Sequence, residues 1–574
     1  QASLPIHALP EEVAPPARMG ASRALAIGAS KSATGNPILL QATADGPDIH
    51  ISGGGFDAAG YTFPSMSPIA QGRTPYNAWS LTTGESDLVD VFAEKINPDN
   101  PRQYLHKGAW RNMDVRRETI QVKGAAPVII EVERTVHGPV IRREAKENVA
   151  YSERNVGWGQ ELRGLSNFID LSRVRNLADF QKTASRSPGS FNWNYAGVDK
   201  HIAMIHSGYL PLRANGVDPR LPTPGTGEYD WQGVQPELSA MVDPKQGYFH
   251  AWNNKATSQS FYGDSARYGK SFRTWLGRAL VEADDKITYA EMQEIHRKIG
   301  RSSGGADLTV TNPKFFTPYL RTAVKGDPRL EAAVAAMDSW NGIYEDNDAD
   351  DYYDSVGLTV YRKWIDTAQR SIVGDDIDSW WTDVDTAYIK YRTDVLLRAV
   401  EGSDAGTPVT YDWFNGVDRN QKLRETVAAT VNALETEYGS ADPAKWRHRA
   451  FYRYYDAAAL TPDKPTRRGG AGASRLGGVS LMAGPLGLQP AAVPDNGSEG
   501  WNMLVEVKPA DPTLYDSTPS GGQNLTITRD GKGNPNIADQ VRLHETFRFK
   551  AVSLDPRVVK DEAVSTTRLK IPAK

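Results

Sequence analysis

The sequence contains no cysteine, which removes thiol nucleophiles, thiolate metal sites and disulfides together. The compartment stays open on this ground, because an exported protein can also lack cysteine. No run of about 18 apolar residues occurs, the length a membrane-crossing helix needs. The N-terminus lacks the basic-then-apolar pattern of a signal peptide, and since the chain starts with Gln1 it is expected to be a processed piece whose targeting sequence lies elsewhere. Net charge is small, -4 from 66 Lys and Arg against 70 Asp and Glu, so nothing advertises nucleic acid. The ten histidines are scattered. No His-Glu-x-x-His pair and no Gly-x-Ser-x-Gly elbow is present, so the sequence signatures of zinc proteases and α/β-hydrolases are missing. A Ser-His-Asp triad assembled from distant positions stays open, although nothing points to one.

What is present is ordinary for a soluble globular protein: 574 residues, 39% hydrophobic and 24% charged. That length holds a large core and sets a soft prior of several domains. Residues 1–20, with Pro5, Pro10, Pro15 and Pro16 around Glu11 and Glu12, read as an extended linker. From Ser22 to about Val140 alternation and glycine or proline turns predict mainly strands, among them Ile49 to Ser52, Arg117 to Val122 and Val128 to Val132. A helix is predicted at Leu177 to Arg186, then strands at Phe191 to Tyr195 and Ile202 to His206. From Phe272 the period becomes helical, at Phe272 to Ala283, Tyr289 to Lys298, Arg329 to Trp340, Leu358 to Ser371, Tyr391 to Val400 and Gln421 to Tyr438. Trp501 to Val507 reads as another central strand. With no internal repeat, β-rich ends around a helical lobe at roughly 272–450 predict one α+β body built from distant segments.

Two apparent motifs fail on spacing. Gly263 and Gly269, ahead of Lys270 and Ser271, are separated by five residues where a phosphate loop has four. The acidic run from Asp346 begins like a calcium loop, but its sixth position is Asp351 and its twelfth Gly357, where glycine and a glutamate are needed. It reads as a solvated acidic loop.

Ser22 follows Gly20 and Ala21 and leads into the apolar run Ala24 to Gly28; after the turn Gly35, Asn36, Pro37 a second apolar run, Ile38 to Leu40, follows. A serine at the mouth of a strand is common. Cut before Ser22, however, that residue carries a hydroxyl nucleophile and a free α-amine in one unit. Three further stretches bear on it: Gly53 to Gly60 with Asn77 to Glu94, which contains Thr82, Thr83, Gly84, Asp87 and Asp90; Asp218 to Gly233; and Gly247 to Asn254. With Ser22, and with Asp539 to Phe547 near the end, they resemble the β-subunit of the penicillin acylases, members of the N-terminal nucleophile hydrolase superfamily. The resemblance covers nearly everything from Ser22 to Lys574 and leaves 1–21 as a spacer remnant.

The resemblance implies a four-layer αββα sandwich made in a precursor that cuts itself before Ser22. It implies an amide hydrolase in which Ser22 attacks and its own α-amine, through a water, is the base. The oxyanion donors carried over by position are the backbone N–H of Thr83 and the side-chain amide of Asn253, with Arg273 near the site. Asn253 and Asn254 alone would read as a turn, and Arg273 as a surface helix residue. Asp87, Val89, Asp90, Pro219 and Asp264 match the family's structural calcium segment, a set of oxygen donors that suits a hard ion. One further ligand is expected from the separate α-subunit of the same precursor, with which the chain would form a heterodimer, and a periplasmic or secreted location follows.

Substrate carries over less far. The segment between Leu40 and Ile49 is several residues shorter than in the penicillin G enzymes, Gln71 and Leu81 stand where those have a phenylalanine and a serine, and Arg23 replaces the asparagine after the nucleophile. Phe168 and Phe191 still supply apolar walls. The expectation is an acylase for a hydrophobic N-acyl amide, such as a β-lactam side chain. The rivals are an acyl-homoserine lactone or lipopeptide acylase and, from another class, a non-catalytic calcium-stabilised binding protein derived from an acylase.

Overall fold

The computed structural model describes residues 22–43, 48–62, 68–256, 274–302, 312–348, 350, 352–377, 393–404, 408–449, 501–511, 513–517, 543, 547–563 and 566–568. The spacer at 1–21 and most of the closing segment at 539–547 therefore lie outside the described residues, as do Asp264 and Arg273.

Strand Arg23–Ile27 is buried at all five positions, as a strand covered on both faces must be. It pairs antiparallel with Ile38–Thr43 and with Tyr248–Ala251. Beyond Ile38–Thr43 lies Trp501–Glu506, with Trp501 opposite Thr43, so the far end of the chain completes the first sheet, as the apolar run there predicts. Thr513–Ser517 and Lys550–Ser553 extend it to six strands.

The second sheet has seven antiparallel strands in the order Gly233–Val242, Ile202–Leu212, Phe191–Gly197, Asn77–Thr83, Gln71–Arg73, Phe56–Tyr61, Asp48–Gly53. Its last hairpin turns at Gly53 to Gly55, all at positive φ, a conformation that glycine adopts without a Cβ clash.

Alternation along Arg23–Ile27 sends successive side chains to opposite faces. Leu25 and Ile27, with Ile38, Leu40 and Leu504, pack against helices Trp275–Glu282 and Tyr289–Gly300 through Val281, Met292, Ile295 and Ile299. Ala26, with Leu39, Met503 and Val505, joins one core with Trp79, Trp193 and Tyr195 of the second sheet and with Phe168 and Phe180 of helices Glu161–Leu171 and Leu177–Ala184. The result is an α+β sandwich of two sheets between helices.

A third sheet, ordered Val140–Glu144, Val149–Asn155, Val89–Asn97, Asn100–His106, Ala109–Asn112, stands beside a ribbon of Asp114–Ile120 with Val128–Arg134. In the helical part, Thr317–Val324, Pro328–Ser339, Val356–Ala368 and Arg419–Tyr438 enclose a separate core that includes Trp340, Tyr361, Trp364 and Trp446. The first two helices of the predicted helical stretch belong instead to the sandwich. The acidic run is exposed around Asp348 and Asp350, and Asp350 pairs with Arg447 at 2.5 Å.

Candidate active site

Ser22 is 6% exposed and sits on the face of its strand that carries Ala24 and Ala26, toward the core shared with the second sheet. Ala24 lies opposite Ala251, so carrying the antiparallel register two residues further brings Ser22 and Asn253 together. Asn253 adopts φ 55°, a left-handed conformation that asparagine tolerates better than most residues. Thr83 ends Asn77–Thr83 in the second sheet. One residue from each of three strand ends thus meets at one point, and three of the four proposed catalytic positions are together.

The contacts of the Asn253 amide decide which way it points. With nitrogen toward the hydroxyls, it donates to Ser22 Oγ at 3.1 Å and Thr83 Oγ1 at 2.9 Å, but its oxygen then faces the Ser22 carbonyl, itself an acceptor. With the ends exchanged, every contact becomes a donor–acceptor pair. The nitrogen donates to the Ser22 carbonyl oxygen at 3.0 Å, and the oxygen accepts from Thr83 N–H at 3.2 Å and from both hydroxyls. That orientation is the satisfied one. The Thr83 hydroxyl, and not its backbone alone, is therefore part of the cluster.

Behind Thr83 runs a buried polar chain with a defined direction. Ser190 Oγ donates to Ser86 Oγ at 2.8 Å, and Ser86 meets His206 Nε2 at 3.0 Å. His206 Nδ1 meets Asn192 Oδ1, an acceptor, at 2.7 Å, and Asn192 Nδ2 reaches Thr82 Oγ1 at 3.3 Å and the Thr83 carbonyl at 3.4 Å. The acceptor at Asn192 places the histidine proton on Nδ1, leaving Nε2 to accept from Ser86. Gly84 threads this cluster. A Cβ there would lie 2.5 Å from Ser190 Oγ and 2.7 Å from His206 Cε1.

Phe191 is directly opposite Thr83 in the sheet, and Trp193 opposite Leu81. Phe168 completes an aromatic group, 6.2 Å from Phe191 and 5.6 Å from Trp193 between ring centroids. Trp193 was not among the wall residues expected from sequence, although its spacing of two from Phe191 puts both on one strand face. Gln71 serves Leu81 instead of a free wall: its Oε1 accepts the Leu81 backbone N–H at 3.1 Å.

Asp87 and Asp90 are adjacent and buried, and Val89 opens the strand that carries Asp90. Arg213, unmarked in the sequence reading, bridges them: Nη2 lies 2.5 Å from Asp87 Oδ2 and Nε 2.9 Å from Asp90 Oδ2. Trp231 Nε1 also donates to Asp90 at 2.7 Å. Pro219 is partly buried in the loop before Thr223–Pro224. The donors are oxygens, as calcium prefers, but their charge is met here by a guanidinium.

Two sheets between helices, with Ser22 heading a strand of one and meeting Asn253 and Thr83 at strand ends of both, are the arrangement of the N-terminal nucleophile hydrolase fold. A thermostable penicillin G acylase from Alcaligenes faecalis has this fold, with a TM-score of 0.79 over 96% of this chain and all of that one, at 23% identity. The family model for penicillin amidase matches residues 3–561, and the chain belongs to the penicillin amidase family. It is 27% identical over 529 residues to penicillin G acylase of Escherichia coli, and 24% identical over 549 residues to acyl-homoserine lactone acylase QuiP of Pseudomonas aeruginosa. Each alignment takes in 88% of this chain but only 60% and 62% of the relative. No helix among the described residues is long and apolar enough to cross a membrane.

Proposed function

We propose that the chain is the nucleophile-bearing part of an acylase that hydrolyses a hydrophobic N-acyl amide, with Ser22 as nucleophile. The observation that carries this is the meeting of Ser22, Asn253 and Thr83 beside the aromatic group of Phe168, Phe191 and Trp193. Once the Ala21–Ser22 bond is cut, the freed α-amine, with an ordinary pKa near 8, takes the Ser22 Oγ proton through a water as Oγ bonds to the amide carbon. The carbonyl oxygen becomes an oxyanion beside Thr83 N–H, and Asn253 turns its nitrogen toward it. Collapse breaks the C–N bond, the departing amine takes the proton, and water then hydrolyses the acyl ester to regenerate Ser22. Arg273 is proposed nearby on family resemblance alone.

An α-subunit from the same precursor as partner and a periplasmic or secreted location belong to the same proposal, both implied by the family resemblance. It also includes a structural calcium ion held by Asp87, Asp90 and the carbonyl of Val89, with Pro219 and Asp264. What supports the ion is the pair of buried carboxylates; it would take over the charge that Arg213 now meets, and its role would be to hold loops and not to react.

The test joins mass and turnover. The active form should begin at Ser22, and Ser22→Ala should lose both the cut and hydrolysis. Turnover by protein whose intact mass still includes Gln1 would overturn the mechanism. A panel of phenylacetyl, long aliphatic and homoserine-lactone amides separates a β-lactam acylase from an acyl-homoserine lactone acylase, the reading that the second relative favours. Specific binding of the same amides without turnover by correctly cut protein would point to a binding protein.

A further inference from the structure

Away from the serine, the third sheet brings two imidazoles and a carboxylate together. His106 ends strand Asn100–His106, His137 lies in the turn between Val128–Arg134 and Val140–Glu144, and Asp230 precedes Gly233–Val242. His106 Nε2 is 3.1 Å from Asp230 Oδ2 and His137 Nε2 is 2.9 Å from Asp230 Oδ1. One ligand atom from each of the three lies within 4.8 Å of the others. A tetrahedral zinc ion with bonds of about 2.0–2.1 Å sets its ligand atoms about 3.3 Å apart, so small shifts of these side chains would suit it.

One of the two rings, that of His137, is held as a metal ligand would be. Both histidines are buried, and His137 stacks on Phe92 with centroids 3.9 Å apart and planes 4° from parallel. Behind His137, Nδ1 meets Glu94 Oε1 at 2.8 Å, and that oxygen also accepts from Thr135 Oγ1 and Ser152 Oγ at 2.6 Å each. A carboxylate on the far nitrogen fixes the ring and raises its basicity, the usual support of a metal-bound histidine. Among the described residues, the buried His106 Nδ1 and Glu94 Oε2 have no hydrogen-bond partner; both lie on the outer side of the rings, away from Asp230. Lys107 Nζ lies 3.1 Å from Asp230 Oδ2, but its side chain is 60% exposed and free to swing into water.

We propose that His106, His137 and Asp230 form a site for a divalent transition metal of the zinc class, with a water in the fourth position, stapling three segments that are distant in sequence. Two imidazoles set it apart from the oxygen-only set at Asp87 and Asp90. It adjoins that pair through Trp231, the residue after Asp230, which donates to Asp90. Binding would replace the hydrogen bonds that now join the two Nε2 atoms to Asp230.

The test titrates chelator-treated protein with cobalt(II) in excess calcium, read by visible absorption, with zinc(II) then added in competition. The expected result is one equivalent of cobalt(II) with the strong absorption of a tetrahedral ion, lost on adding zinc(II). His106→Ala and Asp230→Asn should each weaken binding at least tenfold while an exposed control, Asp99→Asn, leaves it unchanged. His137 is left intact, because it also bridges Glu94 and Asp230 and its loss could unfold the sheet; thermal melting checks that the variants are folded. A parent protein without the tetrahedral spectrum, or folded His106 and Asp230 variants that keep it undiminished, would overturn the site. Ser22→Ala protein should give the parent's spectrum, so failure of the acylase reading and failure of this one are separate results.

Discussion

At the scale of single residues, Asn253 is where geometry and proposed chemistry meet most closely, since its amide touches both the proposed nucleophile Ser22 and the proposed second donor Thr83. Asn253→Ala should lower kcat by about 10² to 10³, roughly 3 to 4 kcal/mol of transition-state stabilisation, with little change in KM. Steady-state kinetics on the cut enzyme measures this, and near-normal kcat would mean that the donor is another group. Thr83→Val keeps the backbone N–H but loses the hydroxyl that bonds Asn253 at 2.9 Å. The expected loss is about 1 kcal/mol, or five- to tenfold in kcat, between a silent change and that of Asn253→Ala. The sequence made Ser22, Thr83 and Asn253 legible through short flanking motifs. It did not mark the Thr83 hydroxyl, Trp193 or Arg213, because each acts through a neighbour fixed by strand register or a loop and not by adjacent sequence.

At the scale of elements, the stretch after Asn77–Thr83 shows why local pattern and tertiary demand diverge. Gly84 is needed not for a turn but for close approach to Ser190 and His206. Gly84→Ala should break the chain through Ser86, His206 and Asn192 to the Thr83 carbonyl, costing about 1 to 3 kcal/mol of stability and lowering kcat through misplacement of Thr83. Thermal melting and kinetics check both, and a variant with parent stability and kcat would detach this network from the site. Helices with clear ends were readable: Tyr289–Gly300 has a capping box from Thr288 and Glu291, and Arg419–Tyr438 starts on Asp418 and stops at Gly439 with φ 62°. Strand Val89–Asn97 was not. Its inward positions are Asp90, Phe92, Glu94 and Ile96, so two carboxylates interrupt the apolar alternation that would have announced it. Those carboxylates are buried because Arg213, Trp231 and His137 meet them, a tertiary reason that no local window contains.

At the scale of the whole molecule, the first sheet takes strands from both ends of the chain, which the apolar run at Trp501 anticipated, and the described loops around Asp87 and Asp90 are tied by Arg213 across the fold. Arg213→Gln leaves two buried carboxylates side by side without their cation, a change that costs about 3 to 5 kcal/mol when a buried ion pair is broken from one side. If calcium binds there, its charge replaces that of the guanidinium, and at a hundredfold excess over Kd it returns about 2.7 kcal/mol. Chelator-treated Arg213→Gln should therefore melt well below the parent and recover most of the difference on adding calcium, while the parent, with Arg213 already in place, should gain less. Asp87→Ala in the same background should remove the calcium response. Melting curves of Arg213→Gln that stay low and indifferent to calcium would leave Asp87, Asp90 and Arg213 as a buried ion-pair cluster that has no need of a metal.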